Sequence, residues 1–194
     1  MCNLPNPYLL TVLLSIPFNK LPWQKVSICS GPIPNDLIEQ AMARGTKYLG
    51  LSNVNAMFEP KPNFPKTNQV KYLTLSGSNM EENYFRQLIS SCHCLTKLSV
   101  YHFIGSWNPK DLFRGILQNA STLKVLDLSK CRDMSSNDIE LIVKRCINLT
   151  EADFGQMQHY SVSYLSRWFI KGYCHLVGCS LICRKGLLDR PWTS

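Results

Sequence analysis

Six short apolar triplets recur along the chain at near-constant spacing. They are Trp23-Val26-Ile28, Thr46-Leu49-Leu51, Val70-Leu73-Leu75, Leu95-Leu98-Val100, Leu123-Leu126-Leu128 and Leu149-Ala152-Phe154. Their middle members, at positions 26, 49, 73, 98, 126 and 152, lie 23, 24, 25, 28 and 26 residues apart. In each triplet the last two residues point to one side of a short strand, and the residue between them points to the other. One strand with its return segment cannot bury such a face alone. Stacking three or more units makes a continuous core, and six units exceed that requirement.

The period falls in the window of roughly 20–29 residues that marks leucine-rich repeats, whose pattern is L-x-x-L-x-L-x-x-N/C-x-L. The fifth triplet continues to Cys131, at the N/C position of that pattern. The return segments read as helices. Met80–Ile89 places Tyr84, Phe85, Leu88 and Ile89 on one face, with Asn79 as a cap and Glu81 and Glu82 in the first turn. Pro109 opens a second, with Leu112, Phe113, Ile116 and Leu117 as its stripe. Ser135 or Ser136 begins a third, carrying Ile139, Ile142 and Val143, with Lys144 and Arg145 near its end. A weaker one runs from Asn35 to Arg44 and stops at Gly45. The expected fold class is α/β: a leucine-rich-repeat solenoid of about six repeats, a horseshoe of parallel strands with outer helices. The expected organisation is an N-terminal stub over 1–22, repeats over 23–160 and a divergent tail over 161–194.

The chain has 194 residues, 45% of them hydrophobic and 18% charged, which suits one domain with a real core. Of the net charge of +8, residues 165–194 hold Arg167, Lys171, Arg184, Lys185 and Arg190 against Asp189, or 5 − 1 = +4. This reads as a solvated basic end, because the stacking aromatics and modules of nucleic-acid binding are missing. Tyr8–Phe18 is an apolar run of signal-peptide length, but no basic residue precedes it and Pro5, Pro7 and Pro17 crowd it. No stretch is long and apolar enough to span a bilayer. Two sequons occur, at Asn119 and Asn148.

Nine cysteines are an odd number with no tidy framework. Cys92, Cys94, Cys131 and Cys146 fall at turns or helix ends, where small buried thiols fit, and they read as reduced structural cysteines. Cys174, His175, Cys179 and Cys183 match no zinc template, and Cys92-His93-Cys94 is too tight to chelate. No phosphate loop, nucleophile elbow or H-E-x-x-H is present, and His93, His102, His159 and His175 are scattered. The chain is expected to be no enzyme and to need no cofactor or metal.

A resemblance attaches to particular residues. Leu126-Asp127-Leu128-Ser129-Lys130-Cys131-Arg132-Asp133-Met134, followed by a helix ending Lys144-Arg145-Cys146-Ile147-Asn148-Leu149, resembles the cysteine-containing repeat of F-box/leucine-rich-repeat proteins. Ser90-Ser91-Cys92-His93-Cys94-Leu95-Thr96-Lys97-Leu98 repeats the cadence. Pro22-Trp23-Gln24-Lys25-Val26-Ser27-Ile28 is similar to the first strand of those members in which a Trp-Gln pair directly follows the F-box. The resemblance covers roughly residues 22–155. It implies the substrate-recognition subunit of an SCF-type cullin-RING ubiquitin ligase, working in nucleus and cytoplasm. Its partners would be a protein substrate, often phosphorylated, and the ligase adaptor and cullin. Only 22 residues precede Trp23, so the stub is a remnant of, or replacement for, an F-box, and adaptor binding depends on whether it still docks.

Protein recognition then falls to the strand residues between the buried positions. One row reads Gln24, Lys47, Lys71, Thr96, Lys124, Thr150, and the next Lys25, Tyr48, Tyr72, Lys97, Val125, Glu151. With strands about 4.8 Å apart, Lys47, Lys71, Lys97 and Lys124 make a basic patch edged by Tyr48, Tyr72 and Tyr101, suited to an acidic or phosphorylated peptide. Two alternatives stay open. One is an intracellular leucine-rich scaffold with no ubiquitin link. The other is a secreted leucine-rich binding protein with glycans on Asn119 and Asn148.

Overall fold

Each triplet supplies a strand because its alternating apolar residues have a core to enter on one side only. In the computed structural model, which describes residues 23–32, 35–56, 63–66, 68–102, 108–131, 134–155, 174–177 and 180–184, the strands are β1 (Lys25–Pro32), β2 (Tyr48–Ala56), β3 (Tyr72–Ser76), β4 (Asn79–Met80), β5 (Lys97–Tyr101), β6 (Val125–Asp127), β7 (Glu151–Asp153), β8 (Cys174–Val177) and β9 (Ser180–Arg184). The helices are α1 (Asn35–Ala43), α2 (Glu82–Ser91), α3 (Pro109–Gln118) and α4 (Ser136–Arg145). The stub at 1–22 and residues 156–173 lie outside the described part. The chain is thus α/β, built on one mostly parallel sheet ordered β1-β2-β3-β5-β6-β7-β9-β8, with the short β4 also pairing with β2.

Register follows the triplets residue for residue. Val26 pairs with Leu49, Leu49 with Leu73, Leu73 with Leu98, Leu98 with Leu126 and Leu126 with Ala152. From Leu49 onward these residues are buried, and they share one core with Ile38, Met42, Tyr84, Phe85, Leu88, Ile89, Leu112, Ile116, Ile139 and Ile142 from the four helices. The helices therefore cover one face of the sheet and leave the other open.

A second ladder runs just ahead of the strands. The Gln24 carbonyl accepts from the N–H groups of both Lys47 and Tyr48, each at 3.0 Å, and the Lys47 carbonyl from Lys71 (2.8 Å) and Tyr72 (2.9 Å). Lys71 O takes Thr96 and Lys97, Thr96 O takes Lys124 and Val125, and Lys124 O takes Thr150 and Glu151 in the same way. One carbonyl holding two successive donors fixes where each strand starts.

The caps explain the helix limits. Asn108 Oδ1 accepts from Lys110 N–H ahead of Pro109, and Ser135 forms a reciprocal capping box with Asp138. Before α2 the expectation fails. Glu81, not Asn79, is the N-cap, and its side chain makes no capping bond; Asn79 is instead drawn into β4 opposite Asn55. Phe113, Leu117 and Val143 are only half-buried, so the apolar stripes of α3 and α4 are narrower than their sequences imply. The connection from β2 to β3 shows no helix over its described residues 63–66 and 68–71. Instead Phe64 is buried edge-on against Tyr84, centroids 5.3 Å apart, while Asn68 Nδ2 donates to the carbonyls of Pro65 and Ser91.

The last described elements break the pattern. β9 runs antiparallel to β7, with Ala152 opposite Cys183, and β8 pairs antiparallel with β9. Nothing in the aperiodic sequence of that segment marks a hairpin.

The cysteines divide. Cys92, Cys131 and Cys146 are buried thiols, and burial pushes those of Cys92 and Cys146 up to about 12 and about 11. Such thiols stay protonated and unreactive. Cys131 Sγ lies 3.1 Å from the Val100 carbonyl. Cys94 departs from the expectation: it is exposed, because Leu95 is the residue that turns into the core.

Candidate protein-binding face

The open face carries three parallel rows running across the strands. The first is the ladder row of Gln24, Lys47, Lys71, Thr96, Lys124 and Thr150, together with Lys25, Tyr48, Tyr72, Lys97, Val125 and Glu151, which register places side by side. Lys47, Lys71, Lys97 and Lys124 are all exposed, as is Tyr72 at 40%. The Tyr48 and Tyr72 rings lie 6.4 Å apart with a 31° tilt, and Lys25 Nζ sits 4.9 Å from the Tyr48 centroid. Six of the seven expected binding residues are thereby gathered at the N-terminal end of the strands.

The seventh is elsewhere. Tyr101 stands four residues beyond Lys97 on β5, about 13 Å along the strand at 3.3 Å per residue, so it does not edge the lysine patch. It belongs to a separate group with His102 and Lys130. Lys130 Nζ donates to Tyr101 Oη at 2.7 Å and lies 4.8 Å from its ring centroid, and the His102 ring stacks edgewise 6.2 Å away.

Between the two ends runs a trough of short side chains: Ser27, Gly50, Thr74, Ser99, Asp127 and Asp153. A Cβ on Gly50 would sit 3.1 Å from the Tyr48 ring, so glycine lets that ring lie down over the strand. Asp127 takes Ser99 Oγ on one oxygen and the Ser129 backbone and hydroxyl on the other, while Asp153 Oδ1 accepts from Gly155 N–H. Within the strands the face is therefore basic and aromatic over β1–β5 and acidic over β6–β7, with Lys124 and Lys130 flanking β6. The carboxylates occupy the middle of Leu126-Asp127-Leu128 and Ala152-Asp153-Phe154, so the triplets themselves held this signal.

Partial burial raises the Asp153 carboxyl pKa above its ordinary range, and the neighbouring Asp127 and Glu151 add to this against the Gly155 hydrogen bond. A raised folded-state value means the native chain holds more protons than the unfolded one between the ordinary and the raised value. Stability from this group thus falls as pH rises through that window and stays lost above it. Asp153→Asn retains the oxygen that accepts from Gly155. It is expected to raise the melting temperature at pH 7 and to leave it unchanged near pH 3, as thermal melts at both pH values will report.

The C-terminal rim holds a feature absent from the sequence expectation. Asn53, Gly77, His102 and Lys130 each fall two residues after a triplet, and all four have left-handed backbones with φ of 52°, 58°, 49° and 63°. Asparagine and glycine tolerate this conformation. Lysine does not, and costs about 1–2 kcal/mol there, while histidine lies between, being enriched at positive φ among non-glycine residues. The Asn and Gly at this phase of the second and third triplets were the available signal.

Asn119, expected as a glycan acceptor in the secreted alternative, is 1% exposed, and its Nδ2 donates to Cys92 O and Gly115 O. A glycan cannot occupy that nitrogen in the folded chain. Among the described residues no group of three metal-ligating side chains gathers and no helix is long and apolar enough to cross a membrane; Cys179 lies outside them.

Fold and face together define an α/β chain with one sheet face covered by helices and one open and charge-segregated. No known family matches the chain, and neither does any curated protein at a significant level.

Proposed function

We propose that the chain is a leucine-rich-repeat recognition module, and that it serves as the substrate-recognition subunit of an SCF-type ubiquitin ligase. The observation that carries the recognition role is the row of Lys47, Lys71, Lys97 and Lys124 with Tyr72, exposed together on the open sheet face beside the half-buried Tyr48. Supporting the repeat reading are the residue-for-residue register of the triplets and the recurring strand-helix connections. The ligase link is supported by the resemblance of the Trp23-Gln24 strand and the Cys131 repeat to F-box/leucine-rich-repeat proteins. The ligand class is an acidic or phosphorylated segment of a target protein, held by charge-assisted hydrogen bonds from lysine and tyrosine.

The test is affinity capture from cell lysate on the full chain, with bound proteins identified by mass spectrometry. Recovery of the ligase adaptor and cullin with target proteins is the expected result. Targets recovered without adaptor or cullin would overturn the ligase role and leave a binding module, the scaffold alternative.

A further inference from the structure

The Tyr101-His102-Lys130 group lies apart from the lysine patch and is not explained by it. Its three side chains are contiguous: Nζ to Oη at 2.7 Å, Nζ over the same ring at 4.8 Å, and ring to ring at 6.2 Å. One of the three, Lys130, sits on backbone that disfavours it. At the same phase β2 and β3 use Asn53 and Gly77, which hold that conformation cheaply, whereas β5 and β6 use His102 and Lys130. Strain of this kind persists where the surrounding structure holds a side chain for use. Neither His102 nor Lys130 forms an ion pair among the described residues.

We propose that Tyr101, His102 and Lys130 form a subsite for a phosphate monoester borne by a protein partner lying on the open face. This rests on that face being the docking surface described above, and it places the phosphoryl group at the C-terminal rim, away from the lysines. The donor set decides the chemistry. Tyr101 Oη accepts from Lys130, which leaves its own O–H as a donor, and the ammonium retains two further donors. The exposed imidazole adds an N–H. Donors on three separate side chains suit the three terminal oxygens of a phosphate ester, whereas a carboxylate offers two.

The test is an amide-resolved NMR titration of the full chain with inorganic phosphate, with the tripeptide Ala-phosphoserine-Ala, and with acetate at matched ionic strength. The expected result is saturable shifts at His102 and Lys130 with both phosphate probes, at least as tight for the tripeptide. Acetate is expected to give none, and Asn53 and Gly77 to stay still as same-backbone references. Lys130→Gly is expected to weaken the response at least tenfold while the chain melts no lower than the parent, since the strain is relieved. Tyr101→Phe, which keeps the ring, is expected to weaken it as well. Equal shifts from acetate, or a full response in Lys130→Gly, would overturn the subsite. Binding of inorganic phosphate alone would overturn a partner-borne ligand. An acidic, unphosphorylated peptide titrated against Lys71 and Lys97 reads the docking face separately, so the two ideas fail by different measurements.

Discussion

Replacing Asn119 by alanine is expected to destabilise the chain by about 3 kcal/mol, since a buried group left without its partner costs about 1–3 kcal/mol and two are orphaned here. Asn119 closes α3 and is 1% exposed. Its Oδ1 accepts the Leu95 N–H at 2.9 Å, and its Nδ2 donates to the carbonyls of Cys92 at 2.8 Å and Gly115 at 2.9 Å. One amide therefore ties the end of α3 to the turn that leads into β5. Alanine leaves the Leu95 N–H and the Gly115 carbonyl without this partner, while the Cys92 carbonyl keeps Gln118 Nε2 at 3.2 Å. Asn148, exposed and bonded to Ser121 O, is the natural control, and Asn148→Ala is expected to cost under about 1 kcal/mol. Urea unfolding of both variants gives the comparison. Equal losses would mean that the buried bridge adds nothing to stability.

The second large effect concerns the open face. Lys71→Glu combined with Lys97→Glu is expected to weaken capture of an acidic peptide by tenfold or more, because two contacts worth up to about 1 kcal/mol each become repulsions. Both side chains are exposed, at the entrance to β3 and on β5, so the melting temperature should stay within a few degrees of the parent. Fluorescence anisotropy at two salt concentrations measures this. The parent's affinity should fall with salt and the variant's should hardly respond. Unchanged affinity in the double variant would remove the lysine patch from consideration.

Much of this architecture is legible in the triplets, because burial on one face forces a period of two that no other local signal imitates. The rows at 24, 47, 71, 96, 124 and 150 and at 25, 48, 72, 97, 125 and 151 follow from counting alone, and the ladder reproduces them. What counting misses is position along the strand. Lys97 and Tyr101 share a face and look like neighbours in sequence, yet four residues of extended chain separate them. The acidic trough was equally countable but sat between leucines, where attention goes to the core. Backbone sign is harder. Lys130 gives no hint of left-handed conformation by its identity and His102 only a weak one, so it is their phase with Asn53 and Gly77 that reveals it. The β8–β9 hairpin is illegible because antiparallel pairing across β7 depends on a tertiary edge, not on a local repeat.

That hairpin restores the direction it first reverses. β9 runs antiparallel to β7 and β8 antiparallel to β9, so β8 again points the way of β1–β7. The two terminal strands of the described sheet, β1 and β8, therefore run alike, although a reversed strand lies between them. Parallel pairing needs evenly spaced, slanted hydrogen bonds, whereas antiparallel pairing alternates close and wide pairs. A strand lent from another molecule in the direction of β1 would thus meet the parallel pattern at either end of the sheet, and the reversal is sealed inside it.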